Sequence, residues 1–521
     1  MNRKELQSEN EHLKDQIKIR DLEIGHLKKM LFGQKSEKFD SDQWQLKLGL
    51  DLPGKDQALS DQQEPVAPDP EKQNKPQKRK RRTKSEVLPD NLPVKVIEII
   101  TPPEVKANPE NYRKIDEVYH DEIEIIEPQL YIRRIITEKY ISLTEPDHPP
   151  IIDPAPHSTI PGTKCGPALM AEIITNRFVD SLPYYRQTAR FGRQFDTLFG
   201  KNTLEQWAGS CACYLKPIND AILNEVLSGS VLETDETPLK YIEKGTGQAQ
   251  TGYFWTYLQP PVPGTDRRGA AYYDWQTGRS HGCLLNILAD GQGEMVYHGI
   301  IQCDGFSAYE TLAKKYNVSL GGCLAHVRRK FYDAQEERPV FSGELLRWIQ
   351  MLYQIEASMR KTDLSPWHRK MIRNQHSRPV LQKIYNCIID EKEKHLPQSG
   401  IGKAITYALG QWSGIEKYLT NGMMEIDNNL VENAIRPTKL GAKNWLFVGS
   451  KEAGWRNALF YTLMANCKIQ KIDPQKYLAE LLRALPSEVV AITPELAAQW
   501  TPAAYARRQA EIELAEKAQA A

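Results

Sequence analysis

No stretch of this 521-residue chain approaches the roughly 20 consecutive apolar residues that cross a bilayer, and the N-terminus, charged from Arg3 onward, lacks the apolar core of a signal peptide. These absences argue against secretion and membrane insertion and predict a cytoplasmic protein with no membrane partner. Cysteine is sparse: Cys165, Cys211, Cys213, Cys283, Cys303, Cys323, Cys387 and Cys467 lack paired spacing, and none precedes residue 165. That excludes a disulfide framework and fits a reduced compartment. An excess of one charge is also missing, since 68 basic against 67 acidic residues leave +1. A nucleic-acid partner must therefore be argued from local clustering.

What is present is length enough for several domains. Within residues 1–40, residues 3–31 carry a heptad pattern, with Asn10, Ile17, Ile24 and Leu31 at one core position and Leu6, Leu13, Arg20 and Leu27 at the other. The pattern predicts a dimerising coiled coil, the alternative being one amphipathic helix packed on its own domain. Residues 41–92 read as a disordered linker, rich in Pro, Gln, Asp and Lys over 51–92. Its run Lys78, Arg79, Lys80, Arg81, Arg82 and Lys84 suits phosphates, or equally a solvated tether. Residues 93–160 alternate apolar and polar positions ("VKVIEII", "QLYIRRIITEKYISL") and predict a small β module.

From Gly166 the period becomes helical. Three helices are expected over residues 161–227, the third opening on a capping box of Thr203 and Gln206. With Arg186, Arg190 and Arg193 nearby they suit a helix-turn-helix-like DNA-binding region, a plain helical bundle being the alternative. Residues 228–336 alternate strand runs with turns and then a helix, the order of an α/β sheet with antiparallel strands first and a βα unit after. Residues 337–426 are helical in pattern, with Trp348, Tyr353, Trp367, Tyr385 and Trp412 as core candidates. The sheet domain resumes over 427–485, and 486–521 form a C-terminal helical tail. Among the aromatics Trp445, Phe447, Trp455, Phe460 and Tyr461, core roles are expected, with Trp445 the exception because it follows Lys443 closely.

Asp235 ends the apolar run of "LETDETPLKY" and Asp304 ends "HGIIQCDGFSAY" in the same way. Acids at strand ends lie where open α/β sheets place their sites, and two held together meet the oxygen preference of divalent metals. Taken singly, each Asp is more readily a turn or cap residue. A third acid, Glu432, begins a pattern in which Arg436 and Lys439 follow at i+4 and i+7 on one helical face. Pro437 is expected to shorten that helix near Ile435 or Arg436 and leave Lys439 beyond it.

Five segments in order, "LKKMLFGQKSEKF", "DETPLKY", "CDGFSAY", "CLAHVRRKFYDA" and "NNLVENAIRPTKLGAKNWLFVGS", resemble the insertion-sequence sixty-six family of bacterial transposases over nearly the whole chain. The resemblance implies an α/β, ribonuclease H-like catalytic core with an all-helical insertion between the second and third acids. It also implies Asp235, Asp304 and Glu432 as the catalytic, metal-binding triad. The implied cofactor is a pair of Mg²⁺ ions, with Mn²⁺ as a substitute. The implied reaction cleaves the ends of an insertion sequence and joins the 3′-hydroxyls to target DNA. Arg436 and Lys439 match basic residues that follow the glutamate, suited to DNA phosphates, and Lys443 is a further candidate for DNA contact. "CLAHVRR" resembles a C-x-x-H signature, here Cys323 and His326, in which His326, Arg328 and Arg329 either contact DNA or serve structure.

One departure is that residues 86–164 contain no cysteine where family members carry a zinc-binding element, so no structural zinc is expected. The implied partners are double-stranded DNA, a second copy or more of the chain, and accessory proteins of the same element, in a cytoplasm where the bound protein is nucleoid-associated. A DNA-binding repressor that no longer cuts, and a nuclease that hydrolyses without joining, are the competing classes.

Overall fold

The computed structural model describes residues 128–134, 139–140, 151–152, 160, 163–197, 199–243, 248–485 and 492–520. The coiled coil expected over 1–40, the linker over 41–92 and most of the β module lie outside the described residues. Of that module, β1 (Lys139–Tyr140) and β2 (Ile151–Ile152) pair antiparallel. The alternation over 129–143 does not yield a strand at residues 129–134, where Tyr131 and Ile132 are exposed.

Helices α1 (Pro167–Phe178), α2 (Tyr184–Phe195) and α3 (Lys201–Leu227) precede a meander of β3 (Val231–Ile242), β4 (Ala249–Gln259) and β5 (Ala270–Gln276). Helix α4 (His281–Leu288), β6 (Ile300–Gln302), α5 (Ser307–Tyr316), β7 (Ser319–Gly321) and α6 (Leu324–Asp333) follow. Next come α7 (Pro339–Lys361), α8 (Pro366–Ile372), a π-helical turn at Arg373–Ser377, α9 (Arg378–Lys392) and α10 (Gly400–Glu416). The chain closes with α11 (Asn429–Trp445), α12 (Lys451–Gln470), α13 (Pro474–Ala484), α14 (Pro494–Gln499) and α15 (Pro502–Ala520).

Strands β3 to β7 form one mixed sheet in the order β5-β4-β3-β6-β7, antiparallel through β5, β4 and β3, then parallel through β3, β6 and β7. Strand period puts Asp235 and Glu236 on opposite faces. On the Asp235 face, Phe254 meets Tyr461 of α12, which in turn meets Phe178 of α1. On the Glu236 face, Tyr309 of α5 packs on Trp255, and Asn219 of α3 donates to the Tyr272 hydroxyl. Covering both faces is what leaves β4 buried from Phe254 through Leu258 without alternation, Thr256 being its one polar side chain there.

Helix α12 closes the β5 edge with side chains instead of a strand. Asn466 exchanges two hydrogen bonds with Ala271, Thr462 Oγ1 accepts the Tyr273 N–H, and Gln470 donates to the Gly269 carbonyl. Positions 462, 466 and 470 recur every four residues, so one helical face satisfies backbone groups that an open edge would leave free.

Three expectations need correcting. The helices of residues 161–227 are not a separate unit: Leu204, Ala208, Cys211, Leu215, Ile218 and Ile222 form one stripe of α3 in the same core as the sheet. Thr203 and Gln206 form no capping box, because α3 is capped three residues earlier, at Gly200. The helical insertion has its own core, yet this takes in Leu324, Val327 and Phe331 of α6 and Val231 of β3, so it begins before residue 337. Trp412 is buried there as expected, whereas Trp367 is 64 % exposed.

Within the insertion lies a buried ionic network. Arg373 makes two hydrogen bonds to Glu356 and reaches the carbonyls of Tyr418, Asn421 and Met424, while Arg369 bridges Glu356 and Glu425. Gln302 on β6 donates to the Glu425 carbonyl, tying this network to the sheet. In the tail, Tyr505 is buried with its hydroxyl on Glu480, and α15 is exposed from Ala510 through Lys517.

Candidate active site

The parallel β3–β6 ladder ends at the pair Glu233 and Gln302. Asp235 and Asp304 each lie two residues further along the chain, at the carboxyl end of the parallel ladder. Asp235 is not at a strand end, as its apolar run suggested, because β3 continues to Ile242 against β4. What ends beside it is β6. Asp304 follows β6 in the turn to α5, where its Oδ1 accepts the Phe306 N–H at 3.0 Å, and Asp235 Oδ1 accepts the Glu236 N–H at 2.9 Å. Both acids therefore do hold turns or local backbone, and both keep a second oxygen for other work. Gly305 allows a close approach of α10: a Cβ there would stand 2.8 Å from the Gln411 amide nitrogen and 2.9 Å from the Tyr407 ring, so those side chains would have to shift.

Burial, then the negative charges of Glu236 and Asp304, and more weakly Glu432, push the Asp235 carboxyl up to about 8. Carboxylates of one sign thus sense each other across β3, β6 and α11. The donor set is oxygen only, which fits a hard divalent cation, and mutual repulsion is what such a cation relieves. Among the described residues, no three His, Cys, Asp or Glu side chains close into a metal-holding group.

Glu432 stands in the first turn of α11, where a negative charge complements the helix dipole. Several bonds fix that end. Glu233 accepts the Val431 N–H at 3.1 Å, Asp427 accepts the Asn429 N–H at 3.1 Å, and Tyr353 of α7 donates to Asp427 at 2.7 Å. Pro437 does not break the helix, which runs on to Trp445. Tyr273 donates to the Ala434 carbonyl in the turn that Pro437 loosens. Lys439 is accordingly on the helix, its Nζ donating to the Pro238 carbonyl at 2.9 Å. Glu432, Arg436, Lys439 and Lys443 form one stripe, the three cations exposed.

His326 points its Nε2 at Glu432 Oε1, 3.8 Å away. Cys323 is buried at the start of α6, where the next residue, Leu324, donates its N–H to the Ile426 carbonyl at 3.1 Å, just before α11. That bond ties the His326 helix to the segment entering the Glu432 helix. Arg328 is half-buried with its guanidinium 5.8 Å from the Tyr332 ring, and Arg329 is exposed.

Two groups escaped the sequence reading. Arg279 pairs with Glu236 at 2.7 Å through Nε, Tyr309 donates to the same carboxylate, and Arg279 lies 3.9 Å over the Phe306 ring. This cluster braces the turn holding Asp304. Glu236 was visible inside "DETPLKY"; Arg279 sits in no motif. Glu233 was likewise hidden as one more polar position in a strand.

An acidic cluster thus sits on a mixed sheet, flanked by a basic helical stripe. The chain belongs to the Transposase IS66 family, whose model matches residues 162–456. A second model, "Transposase C of IS166 homeodomain", matches residues 21–97, N-terminal to the helices expected to bind DNA. The chain is 30% identical over 481 residues to the uncharacterized protein y4jD of Sinorhizobium fredii, covering 89% of this chain and 90% of that one. It is 32% identical over 342 residues to y4qI of the same organism, covering 63% and 61%. Family membership implies a nucleic-acid-processing enzyme, and no helix among the described residues is long and apolar enough to cross a membrane.

Proposed function

We propose that this chain cleaves the ends of its insertion sequence and joins the freed 3′-hydroxyls to target DNA, with Asp235, Asp304 and Glu432 as the acidic site. One observation carries this: two carboxylates stand two residues past the last β3–β6 pair, beside a helix pinned to β3 through Glu233 and Val431 that presents Glu432. A five-stranded mixed sheet with helices on both faces supports a ribonuclease H-like core.

The three acids would hold two divalent ions, Mg²⁺ or Mn²⁺, which when bound supply activation of the attacking oxygen and stabilisation of the leaving one. The chain's own residues position the strand. Arg436, Lys439 and Lys443 offer phosphate contacts one helical turn apart, and Arg328 and Arg329 extend that positive surface from α6. His326 orients Glu432, and the Arg279–Glu236 pair holds the Asp304 turn. Double-stranded DNA is the substrate, engaged by a dimer or larger assembly with accessory proteins of the same element.

The test is cleavage and joining of a labelled duplex carrying the element's own end, with Mg²⁺, comparing wild type with Asp304→Asn. Metal-dependent nicking and joining should fall by at least about 100-fold in the variant. Hydrolysis without joining would leave a nuclease; binding without cutting in the wild type would defeat the proposal.

A further inference from the structure

A cavity of about 240 Å³ lies between α1, α2, α3, the last turn of α11 and α12, away from the three acids. Arg177, Lys201 and Arg456 line it against a single acid, Glu205, so its charged lining is net positive. Arg177 is only 6 % exposed, and its Nε has no hydrogen-bond partner. The guanidinium is held instead by two rings, 5.1 Å from the centroid of Tyr184 and 5.0 Å from that of Trp445. A buried cation with an unmet donor is costly to keep, and cation–π contact offsets the cost only in part. An anion in the cavity would complete it, and guanidinium groups favour phosphate.

The location says which phosphate. Trp445 is the last residue of the helix whose first turn carries Glu432, and the exposed Arg436, Lys439 and Lys443 mark the helix between them. At about 1.5 Å per residue, the path from Glu432 to Trp445 is about 20 Å, on the order of six duplex steps of about 3.4 Å. The volume lies just below the roughly 300 Å³ at which small-molecule pockets begin, so the site takes no more than one nucleotide, part of it at the half-buried rim of Trp445 and Arg456. Ring walls beside cations are the setting in which unpaired bases stack.

The geometry points to this cavity as the site for one unpaired nucleotide of the DNA strand that tracks α11, its phosphate on Arg177 and Arg456 and its base against Trp445. This rests on the DNA-cutting function proposed above.

The experiment uses the full-length protein and two duplexes of the element end, with 2-aminopurine either paired or unpaired about six steps from the cut position. Binding is followed by anisotropy, with inorganic phosphate and thymidine monophosphate as competitors. The wild type should bind the unpaired duplex about tenfold more tightly and change its 2-aminopurine fluorescence; Trp445→Leu and Arg456→Gln should each cut that preference to within about twofold. Both lie at the half-buried rim, so they test the site even where Arg177→Gln fails to fold. No preference in the wild type, or the same preference in both variants, overturns the assignment. Inorganic phosphate competing as well as the nucleotide overturns it too, leaving an anion site only. If the protein cuts the paired duplex without favouring the unpaired one, only the cavity assignment fails; if it neither binds nor cuts either duplex, the proposed function falls with it.

Discussion

The Glu233 carboxylate accepts the backbone N–H of Val431 at 3.1 Å, joining β3 to the first turn of α11 one residue before Glu432. Its other oxygen is buried without a partner, and burial raises its pKa well above the usual carboxylate range, so the neutral acid is favoured. Glu233→Gln keeps an acceptor for Val431 and should match the wild type in melting temperature and DNA cutting. Glu233→Ala loses it and opens a void, costing about 1–3 kcal/mol and lowering cutting about tenfold. Thermal unfolding and a nicking assay check both. An alanine variant that cuts like the wild type would unlink Glu233 from the placing of Glu432.

Asp235 gives a pH signature. An unfolded aspartate titrates at about 3.9, whereas burial and the charges of Glu236 and Asp304 hold the folded group up to about 8. Between those values the unfolded chain loses its proton while the folded chain keeps it, so stability falls as pH rises through the window, by up to about 1.4 kcal/mol per unit. Asp235→Asn removes this penalty. In EDTA its melting temperature should exceed that of the wild type by more at about pH 7.5 than at about pH 5, and added Mg²⁺ should raise the wild type more than the variant. Parallel melting curves across that range would count against the coupling of Asp235 to its neighbours.

Much of this site was legible because its residues lie in contiguous motifs. "CDGFSAY" carries Asp304, the Gly305 that lets α10 approach, and the Tyr309 that braces Glu236. The stripe of Glu432, Arg436 and Lys439 followed from helical spacing, but Pro437 misled, since local geometry argued for a break and contacts from Tyr273 and Lys439 hold the helix through it. The separation of α1–α3 from the sheet could not be judged from periodicity, because an apolar stripe looks the same on a bundle and on a sheet. Arg279 and Arg373 were invisible for another reason: their partners Glu236 and Glu356 are distant or unpatterned in sequence, and only the fold brings them together.

The capped sheet edge should be sensitive. Asn466→Leu removes both hydrogen bonds to Ala271 and leaves buried backbone groups unpaired, which costs about 2–4 kcal/mol. Urea unfolding should show the loss, and light scattering should show more association as the β5 edge becomes available. Unchanged stability would mean that α12 covers this edge without supporting it.

Arg373 and Glu356 are both fully buried and joined by two hydrogen bonds of 2.7 Å, with Arg369 on the same carboxylate. Removing one partner leaves an uncompensated charge, so Arg373→Met and Glu356→Leu should each cost about 3–5 kcal/mol. The double variant should cost less than their sum by at least about 1 kcal/mol, because the second change removes the charge the first exposed. Arg373→Lys should not rescue the single variant, since one ammonium cannot span Glu356 and the carbonyls of Tyr418, Asn421 and Met424. Those carbonyls belong to the segment leading into α11, so the same variants should also weaken DNA cutting under conditions where the protein remains folded. Strict additivity in urea unfolding, with cutting unaffected, would reduce the network to independent contacts within the insertion.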